Sequence, residues 1–268
     1  MSKPVVLVKL GGSLITDKTK PYSLNCEVIG RLAGEIKESC EEGKVRLVVG
    51  HGSGSFGHVS AKKYQTSDGF INEESKYGLC VVQNDAAKLN RIVVESLLKE
   101  GVRAISFQMS SACTAKNARV KECYLNSFKR LLKCGIVPVP YGDVGTDIKN
   151  GCCILSTEEI FRHLSGELKP KKIVLVAKVD GVFTADPTKD KSAKFIREIN
   201  KSNWVEVKGG LSGSDGTDVT GGMIQKVEQA IEMAKNGAEV EIINGLKGGN
   251  LKMCLLGKNV GTRIRWER

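Results

Sequence analysis

Residues 50–58 read Gly50-His51-Gly52-Ser53-Gly54-Ser55-Phe56-Gly57-His58. They follow Val45–Val49, an apolar run of buried-strand type. Four glycines between a strand and a helix start let backbone N–H groups approach an anion with no Cβ in the way. A helix opening at that point adds the positive end of its dipole. The loop is not a Walker A motif, because no Gly-Lys-Ser/Thr follows. It is not a dinucleotide fingerprint either, since no partner acid stands on the next strand. Two of the three histidines in the chain lie in it, at the C-terminal end of a strand, where open α/β sheets bind ligands. A lone histidine is usually structural; two in one such loop favour function.

Outward from the loop, short apolar strands alternate with longer amphipathic helices. Val5–Val8, Val45–Val49, Val102–Phe107, Ile136–Val139, Ile173–Val176 and Glu239–Ile243 read as strands. Val28–Glu42 has helical spacing, with Ile29, Leu32, Ala33 and Ile36 on one face. Glu73–Lys99 reads as a long helix with a stripe of Leu79, Val82, Ala86, Leu89, Val93 and Leu97. Thr157–Leu164 and Val219–Asn236 are further helices, and Asn150-Gly151 marks a hairpin turn within Asp147–Leu155. Strands separated by helices predict an α/β fold, a mostly parallel sheet covered on both faces. No repeat, low-complexity tract or linker divides the 268 residues.

Composition narrows the function classes. The formal net charge is +11, but the lysines are scattered and no run of five basic residues occurs, so nucleic acid is not expected as a partner. No apolar run approaches a membrane span, and Lys9 interrupts the N-terminal apolar stretch, which argues against a signal peptide. Nine cysteines, an odd number without C-x-x-C, argue against a disulfide framework and a zinc site. Reduced thiols in a cytosol are the simplest account, so a cytoplasmic protein with no protein-bound metal is expected.

Three more segments carry chemistry. Lys9-Leu10-Gly11-Gly12-Ser13 ends the first strand in a glycine pair with a lysine, and Asp17-Lys18 offers a second cation in the same loop. Lys178-Val179-Asp180-Gly181-Val182-Phe183-Thr184-Ala185-Asp186-Pro187 is a tight strand-to-loop turn followed by a flap. Asp218-Val219-Thr220-Gly221-Gly222-Met223-Ile224-Gln225-Lys226 puts glycines at a helix start, with Lys226 one turn in. Each has a plain reading as a loop, hairpin or glycine-rich cap with a surface lysine.

In this order the four segments resemble the amino acid kinase superfamily. The 50–58 loop is very similar to that of isopentenyl phosphate kinases. Pro21-Tyr22, Ala61-Lys62-Lys63-Tyr64, Leu211-Ser212-Gly213-Ser214 and Gly261-Thr262-Arg263-Ile264 fit the same family. The resemblance implies a three-layer αβα sandwich with an open, mostly parallel sheet, in a single domain and usually a homodimer. It implies an N-terminal lobe of about 1–165 for substrate and a C-terminal lobe of about 166–268 for ATP. The implied reaction is MgATP-dependent phosphorylation of isopentenyl phosphate. The implied catalytic group is Lys9, Lys18, His58 and Lys226, with Glu158 standing where the superfamily places an aspartate between the two catalytic lysines. Gly52, Ser53, Gly54, Gly57 and His58 would hold the substrate phosphate, and Leu79, Val82, Gln83 and Ala86 its apolar tail. Gly11, Gly12, Asp180, Gly181, Phe183, Asp186 and Gly222 would lie around ATP with Lys9, Lys18 and Lys226. The core positions of an amphipathic helix are an equally good reading of the tail set.

Two departures stand out. Ser156-Thr157-Glu158-Glu159 carries a glutamate instead of the aspartate, and Lys178 is closer to uridylate kinases. The alternatives are therefore another phosphate or phosphonate kinase, such as a fosfomycin or uridylate kinase, or an inactive anion-binding regulator.

Overall fold

The strand predicted at Val5–Val8 runs from Val5 to Leu10 as β1, the middle of a parallel sheet. A computed structural model describes residues 3–17, 19–187, 189–212 and 222–266. After β1 come one helical turn, α1 (Gly12–Ile15), then α2 (Cys26–Glu41), β2 (Arg46–His51), α3 (Gly54–Lys63) and α4 (Glu73–Lys99). Next are β3 (Ala104–Phe107), β4 (Cys113–Lys116), β5 (Arg119–Cys123), α5 (Asn126–Lys133), β6 (Val137–Pro140), β7 (Asp143–Asp147), β8 (Gly151–Leu155) and α6 (Thr157–Leu168). The chain continues through β9 (Lys172–Ala177), β10 (Val182–Phe183), β11 (Phe195–Ile196), β12 (Glu198–Ile199), α7 (Trp204–Ser212), α8 (Gly222–Ala234), β13 (Glu239–Asn244), α9 (Asn250–Leu255) and β14 (Thr262–Ile264).

The central sheet has the order β12-β14-β13-β9-β1-β2, with only the β13–β14 pair antiparallel. A parallel bridge from His51 to Tyr141 brings β6 alongside β2, and β3 pairs parallel with β6 beyond it. Alternate residues of each strand enter opposite layers, as period-2 geometry requires. Leu7, Ile173, Leu175, Val240 and Ile242 pack with Phe161 and Leu164 of α6 and Val227 and Ile231 of α8. Val6, Val8, Val174, Val176 and Ile243 pack with Leu32 of α2, Leu89 of α4 and Leu251 of α9. Each such side chain, fully buried, contributes about 1.5–3 kcal/mol. The result is the expected αβα sandwich.

Caps set the helix starts. Asn25 accepts a hydrogen bond from Val28 N at α2, and Asn72 and Ser75 close a capping box at α4. The 150–151 turn joins β7 to β8, with Gly151 at φ +77°. That hairpin belongs to a second sheet, β5-β4-β7-β8, whose other half has no counterpart in the hydrophobic pattern. The expectation that every cysteine is a reduced thiol is corrected there: Cys113 and Cys123 form a disulfide. They are paired across the β4–β5 ladder, a hairpin that spacing alone did not reveal. Seven cysteines are free.

Candidate active site

The strand ends bring the glycine segments together. In register with Gly50, Lys9 lies near the end of β1, and Gly11 N donates to Val176 O at 2.9 Å. The 11–12 and 52–54 loops then touch backbone to backbone. A Cβ on Gly12 would lie 2.8 Å from Gly54 N, and one on Gly52 3.0 Å from Gly12 N. Gly142, after β6, closes a third side: a Cβ there would lie 3.2 Å from Ser53 N. Gly12 and Gly54 open α1 and α3, so their amides have no acceptor within their own helices. The seam thus carries the Gly12 and Gly54 amides, with the hydroxyls of Thr16 and Thr157 against it, and can take phosphate oxygens.

Thr16 and Ser55 fasten the seam. Thr16 Oγ1 accepts from Ser55 N at 2.9 Å and donates to Gly12 O at 2.7 Å. Ser55 Oγ donates to Ser23 O and accepts from Ser23 N, both at 3.1 Å. Tyr22 rests its ring edge-on against Phe56 and donates its hydroxyl to Asp85 Oδ2 of α4 at 2.8 Å. The loop that carries Asp17 is therefore held by both α3 and α4. Lys18 lies outside the described residues.

Charge gathers at the start of α6. Ser156 caps that helix, and Glu158 in its first turn is ion-paired with Lys9. Burial would push the Glu158 carboxyl up. The Lys9 charge and hydrogen bond, its own amide and the Lys226 charge outweigh burial and hold it below the usual range. The charge of Lys226, one turn into α8, thus also acts on Glu158. The glutamate that stands in place of the expected aspartate is paired with Lys9.

The two loop histidines part company. His58 is exposed on α3. His51 is fully buried: its Nδ1 donates to Gly52 O at 3.1 Å, its Nε2 accepts from Asn90 at 3.1 Å, and its ring stacks on Tyr141. Burial lowers its pKa to about 4, so it is neutral. His51 is a structural residue, which spacing within the loop could not separate from His58.

On α4, Val82 and Ala86 are buried, Leu79 is half-buried, and Gln83 donates to Tyr141 Oη at 3.4 Å. Ala86 Cβ lies 3.9 Å from where a Cβ on Gly57 would stand, so it packs on the α3–α4 seam. On the other side, Asp180 accepts from Lys247 at 2.6 Å and Asn244 at 3.0 Å, which lowers its pKa. Gly181 (φ +147°) passes against Thr262, whose hydroxyl accepts from Val182 N at 2.7 Å. Phe183 packs edge-on against Phe195, Asp186 begins the following turn, and Gly222 (φ +49°) opens α8. The glycines and the two aspartates at 213–221 lie outside the described residues. Sequence reasoning missed Gly142, Thr157, Asn244 and Lys247. Thr157 donates to His51 O at 2.7 Å and ties α6 to the glycine loop.

The chain is similar to known proteins over nearly its whole length. The amino acid kinase family model matches residues 4–244. Isopentenyl phosphate kinase of Methanothermobacter thermautotrophicus is 35% identical, with 97% of this chain and 98% of the relative covered. That of Methanocaldococcus jannaschii is also 35% identical, with the same coverage. A solved isopentenyl phosphate kinase superimposes with a TM-score of 0.83 at 32% identity, covering 97% of this chain and 99% of the other. Near-full-length similarity, a common fold and the lysine–glycine arrangement lead to one assignment: the chain belongs to the amino acid kinase family, in its isopentenyl phosphate kinase branch.

Proposed function

We propose that the chain transfers the γ-phosphoryl group of ATP to isopentenyl phosphate, giving isopentenyl diphosphate and ADP. The observation that carries this reading is the Lys9–Glu158 ion pair beside a seam of glycine backbone, with the charge of Lys226 also felt at Glu158. The acceptor oxygen of a phosphate is already anionic near neutral pH, so no general base is needed. Phosphoryl transfer then depends on alignment and on positive charge around the transferring group. Lys9 and Lys226 supply that charge, and Glu158 holds them in place. His58 and the amides of Ser53 and Gly54 hold the substrate phosphate, and Gly52 and Gly57, whose own amides donate to Leu10 O at 3.1 Å and Ser53 O at 3.3 Å, let it approach the backbone closely. Leu79, Val82, Gln83 and Ala86 wall its tail.

Gly11, Gly12, Lys18, Asp180, Gly181, Phe183, Asp186 and Gly222 surround ATP. Residues of about 1–165 serve the substrate and those of about 166–268 the nucleotide. Mg²⁺ fits as an ion carried on the nucleotide, where it would neutralise phosphate charge. Among the described residues no group of three metal-ligating side chains forms a cage, and Glu158 is committed to Lys9. A homodimer is supported by the outer edge of β3, which pairs no described strand, with Ile105 and nearby Leu98 exposed. A cytoplasmic location is supported by the seven free cysteines, against the single Cys113–Cys123 disulfide, and among the described residues no helix is long and apolar enough to cross a membrane.

The test is coupled ADP release with MgATP and isopentenyl phosphate, run beside dimethylallyl phosphate, fosfomycin and UMP. Turnover of the two C5 phosphates, lost in His58→Ala, is expected. Activity on fosfomycin or UMP alone would leave the fold standing and overturn the substrate.

A further inference from the structure

We propose that the end of the sheet opposite the glycine seam holds a second anion site, suited to a diphosphate with a short apolar tail. A cavity of about 680 Å³ opens there, at the starts of β2 and β6. The six residues of β2 set it roughly 17–20 Å from the seam. Its volume lies in the range of about 300–1,000 Å³ typical of small-molecule sites.

Five cations line it, Lys3, Lys37, Arg46, Arg103 and Lys133, against one carboxylate, Glu41. Glu41 is taken by Lys37 at 3.1 Å. Arg46 Nε donates to Lys3 O at 2.9 Å. Lys3, Arg46, Arg103 and Lys133 form no ion pair among the described residues. The side chains lean over glycines that leave the floor open. Lys3 Nζ, Lys37 Nζ and Arg103 Nη2 lie 3.5, 3.4 and 3.7 Å from where Cβ atoms on Gly43, Gly101 and Gly135 would stand.

The competing account is that these cations simply offset the C-terminal ends of α2, α4 and α5, which all finish here. Magnitudes decide against it. A helix end carries about half a negative charge, so three ends offset about 1.5 charges. Five cations and one carboxylate leave a net of four. More than two positive charges remain unmatched. A phosphate monoester carries about −1.5 to −2 at pH 7, and a second phosphoryl group adds to that, so a diphosphate head matches the excess. The apolar lining is half-exposed Val45 and Ile136, over buried Leu47, Val102, Leu132 and Val137. A wholly polar anion would leave that surface unused. The tail's chemistry rests on the proposed reaction, whose product is of this class; the charge and the cavity do not.

The experiment is calorimetric titration with geranyl diphosphate and with inorganic pyrophosphate in metal-free buffer. It compares the wild type, Arg103→Gln/Lys133→Gln, Arg103→Lys/Lys133→Arg and His58→Ala. Geranyl diphosphate is expected to fill two sites per chain in the wild type. The Gln pair should weaken one of them by at least about tenfold while turnover of isopentenyl phosphate is kept. The charge-conserving pair and His58→Ala should retain that site. A Gln-pair isotherm identical to wild type, or one site sensitive only to His58→Ala, would overturn the proposal. Pyrophosphate binding as tightly as geranyl diphosphate would overturn the tail. Absence of isopentenyl phosphate turnover would strike the proposed reaction and leave the cavity's anion binding to stand or fall on the titration.

Discussion

Lys9, near the end of β1, and Glu158, in the first turn of α6, are ion-paired across 149 positions of sequence. The pair lies where the central strand meets the glycine seam, and the charge of Lys226 on α8 also acts on the carboxylate. A carboxylate in this place fixes Lys9 and offsets the repulsion between two nearby cations.

Replacing that carboxylate should therefore cost rate more than binding. Glu158→Gln is expected to lower kcat by about 10–100-fold, equivalent to roughly 1.4–2.7 kcal/mol of transition-state stabilisation. KM for isopentenyl phosphate should change little. Glu158→Asp, one methylene shorter, should retain an intermediate rate. Steady-state kinetics of the three proteins would check this. Because the folded state depresses the Glu158 pKa, its stabilising contribution is present above the ordinary carboxylate pKa and is lost as pH falls through the lowered one.

The two histidines of one loop should fail in different ways. His58→Ala is expected to cut turnover while leaving the melting temperature within about 2 °C, as an exposed site allows. His51→Ala should destabilise the fold by roughly 2–4 kcal/mol, because it opens a cavity and strands Asn90. His51 also makes stability pH-dependent. Its folded pKa of about 4 lies below the unfolded value near 6.5. The unfolded state binds the proton first, so stability falls as pH drops from about 6.5 to 4, by up to about 3 kcal/mol. Chemical denaturation of wild type and His51→Gln across that range should show a shallower slope in the variant, which keeps the contributions of His163 and Glu158.

Gly54 tests the seam itself. Its φ of +53° is left-handed, and an added Cβ would lie 2.3 Å from Thr16 Oγ1. Gly54→Ala is expected to cost at least about 1–2 kcal/mol from backbone conformation alone, lowering the melting temperature by several degrees. Activity should fall further than stability, since the amides move. A variant with wild-type melting and kinetics would show that the seam does not need glycine here.

Tyr22→Phe keeps the ring on Phe56 and removes the hydroxyl that donates to buried Asp85. Asp85 then keeps Lys88 at 3.1 Å as its remaining cation. A loss of about 1–3 kcal/mol is expected for a buried acceptor that loses a donor. The loop carrying Asp17 and Lys18 should loosen, raising KM for ATP. Denaturation and ATP titration of the variant would check both.

What the sequence by itself determined was the α/β class, the long helix at Glu73–Lys99, the 150–151 turn and the glycine segments at strand ends. Those signals are local: apolar periodicity, glycine pairs and a lysine beside them. The β4–β5 hairpin and its disulfide, with the helices α5, α7 and α9, were not legible, because short elements carry too few residues to show a period. Only the tertiary structure decided which histidine turns inward, since His51 and His58 sit in the same motif and differ in what packs around them. It also decided that Glu158 reaches Lys9, that Gly142 closes the seam, and that five cations gather at the far end of the sheet. Each of these joins residues far apart in the chain, and a parallel sheet with crossover helices is what brings them within hydrogen-bonding or charge-pairing range.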